Sequence, residues 1–197
     1  MFTGIVREVG LVRTLERSAG GTQVRIDAPQ STRTLERGGS ISVDGVCLTA
    51  TTVENGAFTA DIVPETMERT IWGERKAGMR VNLELPMRLG DPLDGHLVQG
   101  HVDGVGVVQT VTPLENQRMV EIDPPEDLLP FIAAKGSIAV NGVSLTVASV
   151  KSGTFSVALI PTTLEETNLK ELKPGSRVNL EVDLLARYAA RLLEARR

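Results

Sequence analysis

One stretch of this sequence occurs twice, as an internal repeat. Residues 39–86 align with residues 136–183 without a gap, at an offset of 97, and close to half of the aligned positions are identical. The run GSISVDGVCLT returns as GSIAVNGVSLT, and RVNLE closes both copies. An internal duplication of this length predicts two domains of one fold, each of about 95 residues.

The duplication extends upstream of this stretch. The segment GIVREVGLVRTL at residues 4–15 matches GHVDGVGVVQTV at residues 100–111, and VRIDAP at residues 24–29 matches VEIDPP at residues 120–125. Residues 86–99 are rich in proline and glycine and form the connection between the halves. We therefore expect an N-terminal domain at residues 1–96, a second at residues 97–183 and a C-terminal segment at residues 184–197.

Each half alternates short β-rich runs with tight-turn dipeptides. Asp44-Gly45 and Asn55-Gly56 separate such runs in the first half, and Asn141-Gly142 and Ser152-Gly153 do so in the second. These dipeptides favour hairpins because the turn needs a positive φ. Gly10 is expected to form a bulge or a bend, and short helices are expected at residues 30–37 and 65–72. About six strands per half predict an all-β protein of two small closed barrels, which leave no free strand edges.

The C-terminal segment has no counterpart in the first half. At helical spacing, one side of residues 184–197 is apolar. That side consists of Leu184, Leu185, Tyr188, Leu192 and Leu193. A helix with such a stripe must bury it, either on its own barrel or against other copies of the helix.

Composition favours a small-molecule role. The net charge of -4 and the 3% aromatic content disfavour nucleic-acid binding, which needs clustered Lys and Arg or stacking platforms. No apolar run approaches the ~20 residues of a membrane span, and the first residues lack the pattern of a secretory signal. A single cysteine excludes an internal disulfide and fits a reducing cytoplasm.

No metal or cofactor motif is present in the sequence. His96 and His101 are the only histidines, and on an extended chain two residues five apart point to opposite faces. The lone Cys47 is distant from both, so a metal centre is not expected. Neither a glycine-rich phosphate loop nor a Rossmann pattern occurs, and a nicotinamide domain is not expected.

The mismatches between the copies mark candidate functional residues. Cys47 aligns with Ser144, either as a buried packing thiol or as a nucleophile. Two residues later each copy has a threonine, Thr49 or Thr146, on the same strand face. Such polar rows suit a ligand pocket better than a closed core.

Three further polar positions are candidates for a functional role. His101 aligns with Ile5, as a proton carrier or a plain surface residue. Asp183 aligns with Pro86, as a proton carrier or the N-cap of the last helix. Lys135 could be a simple solvated lysine. Two similar pockets with different polar groups would let two similar molecules be treated differently.

Taken together, MFTGIV, GHLVQGHVDG, DGVCLT and NGVSLT closely resemble the riboflavin synthase family of the two-repeat, lumazine-binding type, over residues 1–193. The resemblance implies two tandem six-stranded Greek-key barrels and a trimer formed through the C-terminal helices. It implies dismutation of two molecules of 6,7-dimethyl-8-ribityllumazine, one donating four carbons to the other, without cofactor or metal. The active site is expected between the first barrel of one chain and the second barrel of its neighbour. Assembly with lumazine synthase is left open.

The resemblance also carries site residues to this chain. The implied catalytic candidates are Cys47, His101, Ser144, Thr146, Asp183 and Ser40, and Phe2 is associated with activity. The first barrel's pocket is expected to use Gly4, Ile5, Val6, Cys47, Leu48, Thr49, Asp61, Ile62, Val63, Pro64, Glu65 and Thr66. The second is expected to use Gly100, His101, Val102, Lys135, Ser144, Leu145, Thr146, Ala158, Leu159, Ile160, Pro161, Thr162 and Thr163. Glu65 aligns with Thr162, so a contact that needs a carboxylate is missing from the second copy.

Two other functions fit the same barrels. A non-catalytic lumazine or flavin carrier would need only the pocket, whereas Cys47, His101, Ser144 and Asp183 are more than a carrier requires. A flavin-binding reductase barrel would need a nicotinamide domain after it.

Overall fold

The computed structural model describes residues 1–18 and 20–195. These residues form two closed, antiparallel, six-stranded barrels, which confirms the predicted fold class. The first barrel comprises β1 (Glu8–Ser18), β2 (Gly21–Asp27), β3 (Ser40–Val43), β4 (Val46–Glu54), β5 (Ala57–Ile62) and β6 (Arg80–Glu84). The second comprises β7 (Gly104–Leu114), β8 (Gln117–Asp123), β9 (Ser137–Val140), β10 (Val143–Lys151), β11 (Thr154–Leu159) and β12 (Arg177–Val182).

The two barrels share one strand order. In the first, the order is β1-β2-β5-β4-β3-β6 with β6 closing onto β1, and the second repeats it. Because β2 pairs with β5 and not with β3, the connection is that of a Greek key. Alternate side chains point inward and fill a separate apolar core in each barrel, around Phe58 and Leu83 in the first and Phe155 and Leu180 in the second.

The predicted hairpin turns are present, whereas the predicted bulge is displaced. Asp44 and Asn55 have φ of 49° and 52°, as a tight two-residue turn requires. The irregularity in β1 lies between Val12 and Thr14, so the assignment of a bulge to Gly10 is wrong. Gly10 instead allows close packing, because a Cβ there would lie 2.6 Å from Leu83 Cδ1.

The helices that connect the strands are short. Residues 30–37 contain only one 3-10 turn, Ser31–Arg33. The helix expected at residues 65–72 is α1 (Pro64–Arg69) followed by a 3-10 turn at Ile71–Glu74, and the second barrel repeats this with α2 (Pro161–Glu166). Proline at the first helical position suits this start, because its missing N–H would have no partner there. Thr70 is extended and separates the two turns.

The C-terminal helix α3 (Leu184–Glu194) does not bury its apolar stripe on its own barrel. Leu185 and Leu192 are 69% and 68% exposed, and Tyr188 and Leu193 are similarly exposed. Asp183 is the N-cap, because its Oδ1 accepts a hydrogen bond from the Leu185 N–H at 2.9 Å. The predicted helix also included Arg196 and Arg197, which lie outside the described residues.

An ion pair joins α3 to the second barrel. Arg187 Nη2 lies 2.8 Å from the Asp103 carboxylate, whose Oδ2 also accepts the Val182 N–H. Of the helices in the described part of the chain, none has the length and apolar character that crossing a bilayer requires.

The two barrels meet across a pseudo-twofold axis. Gly45 and Gly142 face each other so closely that a Cβ on Gly45 would lie 2.8 Å from the Gly142 nitrogen. Asn82 donates to the Asn141 carbonyl at 3.0 Å, and its counterpart Asn179 donates to the Asp44 carbonyl at 2.8 Å. These reciprocal bonds fix the mutual orientation of the barrels.

The symmetry of this interface ends at Asp44. Its buried carboxylate accepts from Asn168 Nδ2 at 2.8 Å and from the Asn82 N–H at 2.9 Å, and it is paired with Arg75. The aligned position in the second barrel is Asn141, a neutral side chain. Burial raises the pKa of Asp44, while Arg75 opposes that shift.

Candidate functional site

Two short segments cross over, each from its own barrel to contact the other barrel. Phe2 and Val98 form an antiparallel bridge, with N–H to carbonyl distances of 2.7 and 3.0 Å. Beyond this bridge, the Gly4 carbonyl accepts the Ser144 N–H of the second barrel at 2.7 Å. The Gly100 carbonyl accepts the Cys47 N–H of the first barrel at 2.9 Å. Each barrel therefore lends a segment to the other.

This exchange corrects the predicted grouping of pocket residues. Residues 4–6 were assigned to the Cys47 pocket and residues 100–102 to the Ser144 pocket. In the structure Gly4 lies against Ser144, and Gly100 lies against Cys47. The physical reason is the Phe2–Val98 bridge, which brings the N-terminus and the connection together at the junction of the barrels.

Both exchanged segments need glycine at the point of contact. Gly4 and Gly100 have φ of 74° and 80°, where side chains are strained. A Cβ on Gly4 would lie 2.6 Å from Ser144 Cβ, and one on Gly100 would lie 2.7 Å from Cys47 Cβ. The repeated glycines are therefore required by the approach of backbone to strand.

Two glutamates hold these segments and were not predicted as site residues. Glu84 accepts the N–H groups of Thr3 and Gly4 at 2.7 and 2.9 Å. Glu181 accepts those of Gln99, Gly100 and His101 at 2.7, 2.9 and 3.0 Å. The signal was available in the sequence, because both glutamates end the repeated RVNLE run.

A cavity of about 490 Å³ opens where the first exchanged segment meets the second barrel. Seven of the predicted ligand-binding residues gather there: Gly4, Ile5, Val6, Ser144, Ile160, Thr162 and Thr163. Its other lining residues are Arg7, Val143, Glu166 and Thr167. The mixture of apolar walls with a few hydroxyl and charged groups suits a small organic ligand.

The histidine next to Ser144 is His96, not the predicted His101. His96 Nδ1 lies 2.7 Å from Ser144 Oγ, and the His96 ring is buried. His101 is exposed and belongs to the segment that crosses to Cys47. The second pocket was expected to group His101 with Ser144 and Thr146, whereas the structure places His101 on the segment that crosses to Cys47.

Burial favours the neutral form of the His96 imidazole. Removal from water lowers the pKa of His96, and the negative charge of Asp183 partly opposes this shift. A neutral ring within hydrogen-bond distance of a hydroxyl can accept its proton. The nearby Asp183 carboxylate would stabilise the charged ring that results.

The polar row of the first barrel faces outward. Cys47 is half-buried and Thr49 is exposed on β4, and Ser40 pairs in register with Thr49 across β3. His101 is exposed on the segment whose Gly100 carbonyl bonds to Cys47. Asp61 is exposed near the end of β5, and after that strand Val63, Pro64 and Glu65 are exposed and Thr66 is half-buried. Val102, on the segment that crosses from the second barrel, is half-buried.

Some predicted contacts point away from any outer-face ligand. Leu48, Ile62, Leu145 and Leu159 are buried side chains of the barrel cores, so only their backbone groups could reach a ligand. Phe2 is fully buried and packs with Val98, Ala139 and Cys47 between the barrels. In the second barrel Lys135, Thr146 and Pro161 are exposed and Ala158 is half-buried.

Glu181 should make stability fall as pH rises from about 4.5 to 7. Burial raises the pKa of Glu181 from its ordinary 4.5 to about 7, with the charge of Asp103 adding to the rise and the N–H groups of residues 99–101 opposing it. Because the folded state binds the proton more tightly, this contribution is full below pH 4.5 and is lost as pH passes 7. In urea titrations, wild type minus Glu181→Gln should change by up to about 3 kcal/mol across this window. Parallel pH curves for the two proteins would contradict the assignment.

The fold and the two matched clusters, one at Cys47 and one at Ser144, define a duplicated barrel protein with two candidate small-molecule half-sites. The family model for the lumazine binding domain matches residues 3–86 and again residues 99–183. The chain is 44% identical to a riboflavin synthase of Mycobacterium tuberculosis over 199 residues, covering 99% of both proteins. The chain therefore belongs to the riboflavin synthase family of lumazine-binding-domain proteins.

Solved structures agree with this assignment. The chain superposes on LumP complexed with riboflavin with a TM-score of 0.87 and 28% identity, covering 92% of this chain and 99% of that one. It superposes on LumP complexed with 6,7-dimethyl-8-(1'-D-ribityl) lumazine with a TM-score of 0.84 and 27% identity, with the same coverage.

Proposed function

We propose that this chain is a riboflavin synthase, a transferase that converts two molecules of 6,7-dimethyl-8-ribityllumazine into riboflavin and 5-amino-6-ribitylamino-pyrimidinedione. The carrying observation is a pair of half-sites with one backbone plan and different polar groups. In both, a glycine carbonyl from the opposite barrel binds the N–H of the first polar residue, Cys47 or Ser144. Such a pair is suited to hold two copies of one molecule and to treat them differently.

The reaction is a transfer of four carbons between identical molecules. The 7-methyl group of the lumazine is acidic because its anion is delocalised into the ring. A base removes that proton from one molecule, and a nucleophile adds to C7 of the other. The two substrates contain every atom of the two products, so the overall conversion requires no oxidant or reductant.

The proposed catalytic residues are the predicted six with His96 added. The His96–Ser144 pair is suited to move a proton at the second barrel's pocket, with Asp183 opposite the imidazole charge. Cys47 is suited to add to C7 or to orient the ring in the other pocket, where Thr49, Ser40 and His101 are the polar neighbours. Thr146 lies two residues beyond Ser144 on the same face. Much of the acceleration is expected from holding two rings in reacting geometry.

We propose that the working form is a homotrimer assembled through α3, in the cytoplasm. Each half-site is open on the single chain, so stacking two ligands needs the first barrel of one subunit against the second barrel of another. The uncovered stripe of α3 supports this arrangement, because four large apolar side chains exposed on one helix favour a protein contact. Assembly with lumazine synthase is compatible with this form.

Leu192→Glu should dissociate the oligomer and lower turnover together. A carboxylate placed in an apolar helix contact is costly to bury, while the same change is harmless on a free surface. Light scattering after gel filtration would report the mass of the particle. Leu114→Glu, at the tip of a hairpin in the second barrel, is the matched control for an exposed leucine. A trimer that survives Leu192→Glu would rule out α3 as its contact.

The second candidate is a non-catalytic carrier, favoured by the likeness to LumP, whose structures contain bound riboflavin and lumazine. Incubation of the chain with 6,7-dimethyl-8-ribityllumazine alone separates the two. Riboflavin fluorescence should appear without any other reactant, in proportion to protein concentration. A stable lumazine complex that yields no riboflavin on long incubation would identify a carrier instead.

A further inference from the structure

The two glutamates at the ends of the closing strands make matching contacts. At the end of β6, Glu84 accepts from the Thr3 N–H at 2.7 Å, the Thr3 hydroxyl at 2.8 Å and the Gly4 N–H at 2.9 Å. Near the end of β12, Glu181 accepts three backbone N–H groups. Those groups belong to Gln99, Gly100 and His101, at 2.7, 2.9 and 3.0 Å.

Each glutamate binds a segment of the chain that also contacts a strand of the opposite barrel. Glu84 lies in the first barrel, yet Gly4, which it holds, bonds to Ser144 of the second. Glu181 lies in the second barrel, yet Gly100 bonds to Cys47 of the first. The carboxylate binds the glycine N–H, and the same glycine offers its carbonyl to the opposite strand.

We propose that Glu84 and Glu181 are positioning residues, each of which holds the segment that completes the pocket of the opposite barrel. Glu84 sets residues 4–6 against the Ser144 pocket, and Glu181 sets residues 100–102, with His101, against the Cys47 pocket. That these pockets bind a lumazine rests on the proposed function, whereas the crossed contacts do not depend on it.

The contacts suit an ionised carboxylate, the form that prevails for Glu181 above pH about 7. Three donors converge on each side chain, and an ionised carboxylate has two acceptor oxygens and no donor. Glutamine of the same shape would turn an NH₂ group toward one of the N–H groups, which leaves buried donors without a partner. Both side chains are nearly inaccessible to water, so solvent cannot replace the lost bonds.

The first test uses the thiol of Cys47, which is the only cysteine in the chain. The rate of its reaction with 5,5'-dithiobis(2-nitrobenzoic acid) should rise about tenfold in Glu181→Gln, because Gly100 lies against the Cys47 Cβ. Tenfold corresponds to about 1.4 kcal/mol of lost local stability. Glu84→Gln is the matched control and should react at the wild-type rate. Equal acceleration in both variants would mean general loosening and would overturn the proposal.

The second test reads the segments themselves and starts with the wild type, so it stands if a variant fails to fold. Amide hydrogen exchange should be slow at Gly4, Gly100 and His101. Glu181→Gln should speed exchange at residues 99–101 and leave residues 3–4 protected, and Glu84→Gln should do the opposite. Fast exchange at these amides in the wild-type chain would contradict the proposal. So would a loss of protection that does not depend on which glutamate is replaced.

Activity then separates the two proposals. If the chain makes riboflavin, both variants should lower kcat/KM by tenfold or more at unchanged far-UV circular dichroism. Thiol reactivity should still rise only in Glu181→Gln, a pattern that plain destabilisation would not produce. If no protein in the set makes riboflavin but the crossed thiol and exchange patterns hold, the proposed function fails and the positioning role stands. If riboflavin forms at the wild-type rate in both variants, the positioning role fails alone.

Discussion

Asp44→Ala should destabilise the chain by about 3 to 5 kcal/mol, the usual loss when one partner of a buried ion pair is removed. The Asp44 carboxylate is inaccessible to water and holds Arg75, Asn168 and the Asn82 N–H at the barrel interface. Without it, the largely buried Arg75 guanidinium and the Asn168 amide lose their shared acceptor. The loss should show as a lower urea midpoint for unfolding.

The matched control for Asp44 is Asn55→Ala. Asn55 occupies the same position of another tight turn in this barrel, with φ of 52° against 49° for Asp44, and its side chain is exposed. Both substitutions place alanine in the left-handed region, so the cost of the turn is common to both. The difference between the two variants therefore isolates the buried network. Equal destabilisation would show that the network contributes little.

Ser144→Ala should lower kcat/KM for riboflavin formation by about 100-fold, the lower end of the range for a lost proton-transfer group. The hydroxyl is the hydrogen-bond partner of His96 in the described residues, and it lines the cavity of the second barrel. Its removal leaves the buried imidazole without a route for a proton to the pocket. The pH profile of kcat should lose its His96 limb, which a purely structural change would not remove.

Ser149→Ala is the control for the serine substitution. Ser149 lies on the same strand β10, and its hydroxyl forms a 2.8 Å hydrogen bond with the Ser156 hydroxyl. Neither serine lines the cavity that Ser144 lines. Its loss should leave kcat/KM within about twofold of wild type, as for most substitutions away from the reacting groups. If Ser144→Ala keeps more than half of the wild-type turnover, the His96–Ser144 pair has no part in proton transfer.

Local patterns were enough to predict much of the fold. The duplication predicted two equal units, and Asp-Gly and Asn-Gly predicted hairpins, because positive φ is a property of the residues in the turn themselves. The stripe on α3 was predicted correctly for the same reason, since helical spacing is local. The predicted bulge at Gly10 was wrong because a glycine in a strand can indicate either a bulge or a close packing contact. Gly10 is present for close packing against Leu83, a contact that lies far along the chain.

The sequence by itself determined two similar barrels and a set of polar mismatches between them. Only the tertiary structure decided that Gly4 contacts Ser144, that Gly100 contacts Cys47, and that His96 is the histidine beside Ser144. Thr3 and Glu84 are 81 residues apart and His96 and Ser144 are 48 apart. Contacts at such separations depend on how two finished barrels dock, which turn chemistry and side-chain periodicity do not encode. A repeat shows which positions are equivalent, and the packing of the barrels decides which of them meet.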